Sequence, residues 1–119
     1  MVGYEVINAD VTEIKLHEDL KNEKNNISFN TSCYHAENDK KKVKAVIDVT
    51  IFISKRFSFK FKYNMYFILE SEIEENGLSS LMDEIGLHEL AYPYIRSYAM
   101  NILALSGYHE LYLPLVPKF

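Results

Sequence analysis

Cys33 and His35 are separated by Tyr34 alone, inside a run in which Ile27, Phe29, Thr31, Cys33 and His35 occupy alternate positions. On a strand that spacing puts thiol and imidazole on one face, where they could share a metal or pair as nucleophile and base. A zinc site needs about four ligands with partner spacings elsewhere, and His17, His88 and His109 show no pairing pattern. A thiolate nucleophile needs its base beside the sulfur and a third group to orient it, which neighbouring positions along one strand do not supply. The expectation is a core cysteine and no metal site. The carboxylate pairs Glu74-Glu75 and Asp83-Glu84 lie in acidic stretches without an aligned nucleophile, and the scattered glycines form no phosphate loop. No catalytic residue and no cofactor are assigned; the chain is not expected to be an enzyme.

The interleaved run FSFKFKYNMY, residues 57–66, invites a nucleic-acid reading, because aromatics can stack on bases while lysines meet phosphates. Alternation answers it: Phe57, Phe59, Phe61 and Tyr63 share one face, Lys60 and Lys62 the other, so the two groups cannot grip one nucleotide together. The net charge of −4 points the same way. No nucleic-acid partner is expected.

The elements that carry these residues follow from periodicity. Residues 4–16 read as a strand whose parity slips after Val11, so a bulge near Thr12 and Glu13 is expected. Residues 17–26 have the composition of a loop, residues 27–35 form a second strand, and residues 37–42 (ENDKKK) a polar turn, with KKKVK a charged hairpin end that discourages edge pairing. Val43 to Ile53 gives a third strand, Lys55-Arg56 a tight connection, and Phe57 to Leu69 a fourth with seven consecutive matches to a period of two. Ser79 or Ser80 could cap a short helix bearing Leu81, Met82 and Ile85 and ending at Gly86. A longer helix opens at Pro93, and Gly107 closes it. Strands first and helices last predict an α+β domain, residues 1–119, with a four-stranded antiparallel sheet and the long helix packed on one face.

At 119 residues, with 48% apolar and 25% charged residues, the chain suits one globular domain. A single cysteine forms no intramolecular disulfide and favours a reducing compartment. No apolar run is long enough to cross a bilayer, and the acidic N-terminus is unlike a signal peptide, so a cytoplasmic protein with no membrane partner is expected. Between Tyr94 and Ser106 the only charge is Arg96. A helix so poor in charge should be buried on more than one side, which a short chain cannot do alone; that suggests an oligomer. Rings and aliphatics also remain in surplus over one small core: Tyr66, Ile68, Tyr92, Tyr108, Tyr112 and Phe119. Clusters of such groups mark surfaces for proteins or peptides.

From Tyr92 to Val116 the chain resembles the C-terminal segment of the SecB family of chaperones. Tyr92, Pro93, Tyr94 and Arg96 match an aromatic-Pro-Tyr-x-Arg helix start. Ser106-Gly107-Tyr108, Leu111, Leu113 and Val116 match the closing small-Gly-aromatic turn and the leucine tail. The resemblance implies a homotetramer, a dimer of dimers, with Tyr94, Arg96, Tyr98, Ile102 and Leu105 at the seam. It implies an ATP-independent holdase that binds unfolded or partly folded polypeptides in an aromatic-lined groove, linked to protein export or to a toxin–antitoxin pair. Groove candidates are Tyr66, Ile68, Tyr92, Tyr108 and Tyr112, with Leu81, Met82, Ile85, Leu113 and Leu115 beside them. Docking to the secretory ATPase SecA is not expected, because Lys60 and Lys62 occupy the sheet face that presents acidic residues in the family, and the chain stops at Pro117-Lys118-Phe119. The alternative is an interaction module for one dedicated partner, without general holdase activity.

Overall fold

The computed structural model describes residues 3–23 and 25–108. Four strands come first: β1 (Tyr4–Glu18), β2 (Asn26–Ala36), β3 (Asp39–Ile53) and β4 (Phe57–Leu69). A turn of 3-10 helix (Glu75–Gly77) leads into α1 (Leu78–Ile85), followed by α2 (Leu87–Leu105). The residues form two compact units, one running to Leu81 and containing the sheet, the other starting at Met82 and containing α2.

All pairings in the sheet are antiparallel and the strand order is β1-β4-β3-β2, so the first strand crosses over to lie beside the fourth. The alternation of β3 and β4 is honoured residue for residue. Val43 faces Phe67, Ala45 Met65, Ile47 Tyr63, Val49 Phe61 and Ile51 Phe59, and all of these are buried. Burying a Phe, Val or Ile side chain contributes about 1.5–3 kcal/mol, so this face carries most of the unit's apolar stabilisation. The expected parity slip in β1 is present. Its register shifts between Thr12 and Lys15, and Glu13 takes a positive φ of 52°; a second shift falls between Val6 and Asn8.

Four boundaries depart from expectation. β1 continues through His17 and Glu18, because those residues pair with Ser58 and Phe57. The turn assigned to residues 37–42 shrinks, since β3 begins at Asp39 and Asp39 Oδ1 accepts from the Lys41 amide at 2.9 Å. Ser79 and Ser80 lie inside the first turn of α1 rather than capping it. Most significantly, Pro93 does not open the long helix. α2 starts at Leu87, with Pro93 inside it, and Gly86 at φ 67° ψ 52° precedes it. That left-handed residue ends one helix and starts the next: its amide donates to Asp83 O (3.2 Å) and its carbonyl accepts from Leu90 N (2.9 Å).

The end of α2 is as expected. The Gly107 amide donates to Ala104 O at 3.1 Å and the Tyr108 amide to Leu103 O at 2.8 Å, with Gly107 at φ 99°. These two bonds make a Schellman closure. Along α2, Leu87, Ala91, Tyr92, Ile95, Ala99 and Leu103 are buried, whereas Tyr94 is 60% and Leu105 85% exposed. Among the described residues, α2 therefore has a buried set of side chains and an exposed one. The extended tail expected after Tyr108 lies outside the described residues.

Candidate functional site

The face of the sheet opposite the apolar one is built in cross-strand rows. One row crosses all four strands as Asn8, Tyr66, Lys44 and Tyr34; the next reads Asp10, Asn64, Val46 and Ser32; a third reads Thr12, Lys62, Asp48 and Asn30. Directly opposed residues share a face, so these twelve side chains belong to one surface.

The second and third rows are bound together. Asn64, only 2% exposed, donates from Nδ2 to Asp10 Oδ1 at 2.8 Å and to Thr12 Oγ1 at 3.1 Å. The Tyr66 hydroxyl donates to Asp10 Oδ2 at 3.3 Å. Partial burial, then the negative charge of Asp10, then that hydrogen bond raise the Tyr66 hydroxyl above its ordinary pKa of 10.0, so it stays a donor. Beside them Lys62 Nζ meets Glu13 Oε2 at 2.7 Å; the bulge in β1 is what brings Glu13 to that position.

Two cavities open over these rows and adjoin at Tyr34 and Lys44, which line both. One, about 430 Å³, is polar and spans the second and third rows, with Thr12, Asp48, Lys62 and Asn64 in its wall. The other, about 460 Å³, is apolar and lies at the hairpin end, where Ile7 from the first β1 irregularity, Tyr66, Lys42 and Glu37 line it together with His35, Val43 and Phe67 of the opposite parity. Volumes of this size suit a side chain or a short segment of a ligand. Lys44 Nζ lies 5.8 Å from the centroid of the Tyr66 ring, within cation–π range.

A Ser-His-Asp cluster occurs at the far end of the same face. Ser58 Oγ is 3.5 Å from His17 Nε2 and donates to Asp19 Oδ2 at 3.2 Å. In a hydrolytic triad the carboxylate orients the imidazole and the imidazole takes the serine proton. Here the carboxylate holds the serine hydroxyl itself, and Ser58 is buried at 2% exposure. Asp19 Oδ1 also accepts from the amides of Lys21 and Asn22, so the cluster secures the end of β1 and the following turn. Cys33 and His35 lie on the opposite, apolar face, aligned with Ala45 and Val43; among the described residues no group of three metal-ligating side chains forms.

The structure separates the groove candidates. Tyr66 and Ile68 sit on the open face of β4, Ile68 exposed and Tyr66 half-buried at the apolar cavity. Ile85 and Tyr108 are half-buried, whereas Leu81, Met82 and Tyr92 are buried within the chain. Tyr112, Leu113 and Leu115 lie outside the described residues. Of the seam candidates, Tyr94 and Leu105 are exposed, and Arg96, Tyr98 and Ile102 are half-buried. Ile7, Tyr34, Lys44 and the Asp10–Asn64 pair were not anticipated. Tyr34, an aromatic on the polar parity of its strand, was the one visible signal.

No family model matches the chain, and no curated protein matches it in sequence. Its structure is similar to that of Rv1957, a SecB-like chaperone of Mycobacterium tuberculosis solved in complex with a ChAD peptide from the Rv1956 HigA1 antitoxin. The TM-score is 0.76 at 13% identity, over 96% of this chain and 90% of that one. The fold is SecB-like.

Proposed function

We propose that this protein is a non-catalytic, ATP-independent chaperone that holds unfolded or partly folded polypeptide on the open face of its sheet. The observation that carries the reading is the pair of adjoining cavities, one apolar and one polar, beside side chains already committed to one another by hydrogen bonds. Such a surface offers apolar burial and hydrogen bonding without a reactive group, which is what tolerant polypeptide binding requires. A SecB-like neighbour described as a chaperone in complex with a peptide supports it.

The same reading places the protein in the cytoplasm as a homotetramer, with the exposed side of α2 around Tyr94 and Leu105 as the seam. Light scattering tests that part: the mass of four chains is expected, and a monomer would refute it. No link to export or to SecA is proposed. A second reading, one dedicated partner such as an antitoxin, is favoured by the neighbour's bound antitoxin peptide. The discriminating experiment dilutes an unrelated denatured protein into buffer with equimolar subunits and no nucleotide. The holdase reading expects turbidity to be suppressed; undiminished turbidity from a folded assembly would leave only the dedicated-partner reading.

A further inference from the structure

The cations on the open face are not equivalent. Lys62 is neutralised by Glu13 at 2.7 Å, and Asp10 is occupied by Asn64 and Tyr66. Lys42 and Lys44, by contrast, form no ion pair among the described residues, and both line the apolar cavity together with Ile7, Tyr34 and Tyr66. Lys42 stands opposite Ile68 and Lys44 opposite Tyr66, one row apart on the same face. The carboxylate in that wall is Glu37, on the hairpin turn, so the lining keeps a positive excess in a chain whose net charge is −4.

We propose that the apolar cavity is a selective subsite for an acidic polypeptide segment carrying an aromatic anchor: the ring enters between Ile7, Tyr34 and Tyr66, and carboxylates two residues to either side of it meet Lys42 and Lys44. The proposal rests on the polypeptide-binding reading above and adds the chemistry of the preferred segment. A cavity of about 460 Å³ accepts one aromatic side chain with room for adjoining backbone. Strand alternation sets the reach. A residue in extended conformation rises about 3.3 Å and neighbouring rows lie two residues, about 6.6 Å, apart, so carboxylates two residues from the anchor share its face and address the adjacent rows. The Lys44 ammonium already lies against a π face, and an entering carboxylate completes its coordination without displacing a partner.

Fluorescence anisotropy with short fluorescein-labelled peptides in a Gly-Ser host tests this, the core being Asp-Ser-Phe-Ser-Asp, Lys-Ser-Phe-Ser-Lys or Asp-Ser-Ala-Ser-Asp, called Asp-Phe-Asp, Lys-Phe-Lys and Asp-Ala-Asp after the residues that share one face. The Asp-Phe-Asp peptide is expected to bind about tenfold more tightly than either control, the difference a few modest ion pairs or one buried ring can make. Its advantage over Lys-Phe-Lys should shrink as salt rises. The K42E/K44E double variant, altered at accessible lysines, should reverse that preference. Equal binding of the two charged peptides, or equal binding of Asp-Ala-Asp, overturns the proposal without recourse to any variant. Turbidity suppression measured on the same preparation keeps the two claims apart. Suppression without peptide preference sinks the subsite and spares the chaperone reading; preference without suppression does the reverse.

Discussion

β1 and β4 are neighbours in one sheet and both alternate apolar with polar residues, yet they behave in opposite ways. Every odd residue of β4 from Phe57 to Leu69 is buried. On β1, Tyr4 and Val6 stand opposite Leu69 and Phe67 on the same face, and both are exposed, Val6 at 39%. β4 has a strand on either side and an unbroken register with β3. β1 is an edge, interrupted by two register shifts that turn Ile7 and Glu13 toward other work. The alternation that builds a core in the middle of a sheet builds a contact surface at its edge. The irregularities in β1 supply one wall residue of the apolar cavity and the partner that neutralises Lys62.

The largest effect that tests this contrast is a paired truncation. Phe61→Ala should cost about 3–5 kcal/mol, the range for an aromatic removed from a packed interior, whereas Val6→Ala should stay within about 0.5 kcal/mol, as for exposed sites. Denaturant unfolding of the two variants measures both. Similar losses would mean that β1 is packed like β4. An intermediate effect is expected at Asn64→Ala, which removes a buried side chain and its hydrogen bond to the exposed Asp10; about 0.5–1.5 kcal/mol should be lost. A double-mutant cycle with Asp10→Ala should then show coupling rather than additivity.

The smallest effect is electrostatic. The hydrogen bond and charge of Lys62 hold the Glu13 carboxyl below its ordinary 4.5, and Glu13 in turn raises Lys62 above 10.5. A depressed carboxyl stabilises the fold fully above the unfolded value and loses that contribution as pH falls through the lowered folded value. A raised lysine stabilises fully below 10.5 and loses it as pH rises through the higher folded value. The pair is thus intact throughout the neutral range, and both groups are solvent-exposed, so the contribution is small and screened by salt. NMR titration of the Glu13 carboxyl should give a midpoint below 4.5 that returns toward it in Lys62→Met. An unchanged midpoint would detach Glu13 from Lys62.

How much of this was legible in the sequence depends on how local the cause is. The seven-residue alternation of β4, the parity slip at Thr12–Glu13 and the closing Gly107 are set by neighbouring residues, and all three are found where expected. Pro93 misled because proline is favoured at the first helical position, while the true start is set by the left-handed Gly86, which also ends α1. The strand order was invisible, since β1 finds its partner in β4 more than fifty residues away (Asp10 to Asn64 spans 54). The open-face rows inherit that blindness: Asp10 and Asn64 are unremarkable polar residues until the register sets them opposite each other.

Whether polypeptide is held on the open face of the sheet is tested directly by amide NMR of the assembly with an unfolded client peptide. Shifts concentrated at Thr12, Tyr34, Lys44 and Tyr66 are expected, with Val49 and Phe61 on the buried face unmoved. Shifts confined to other surfaces, with those four amides unchanged, would contradict it.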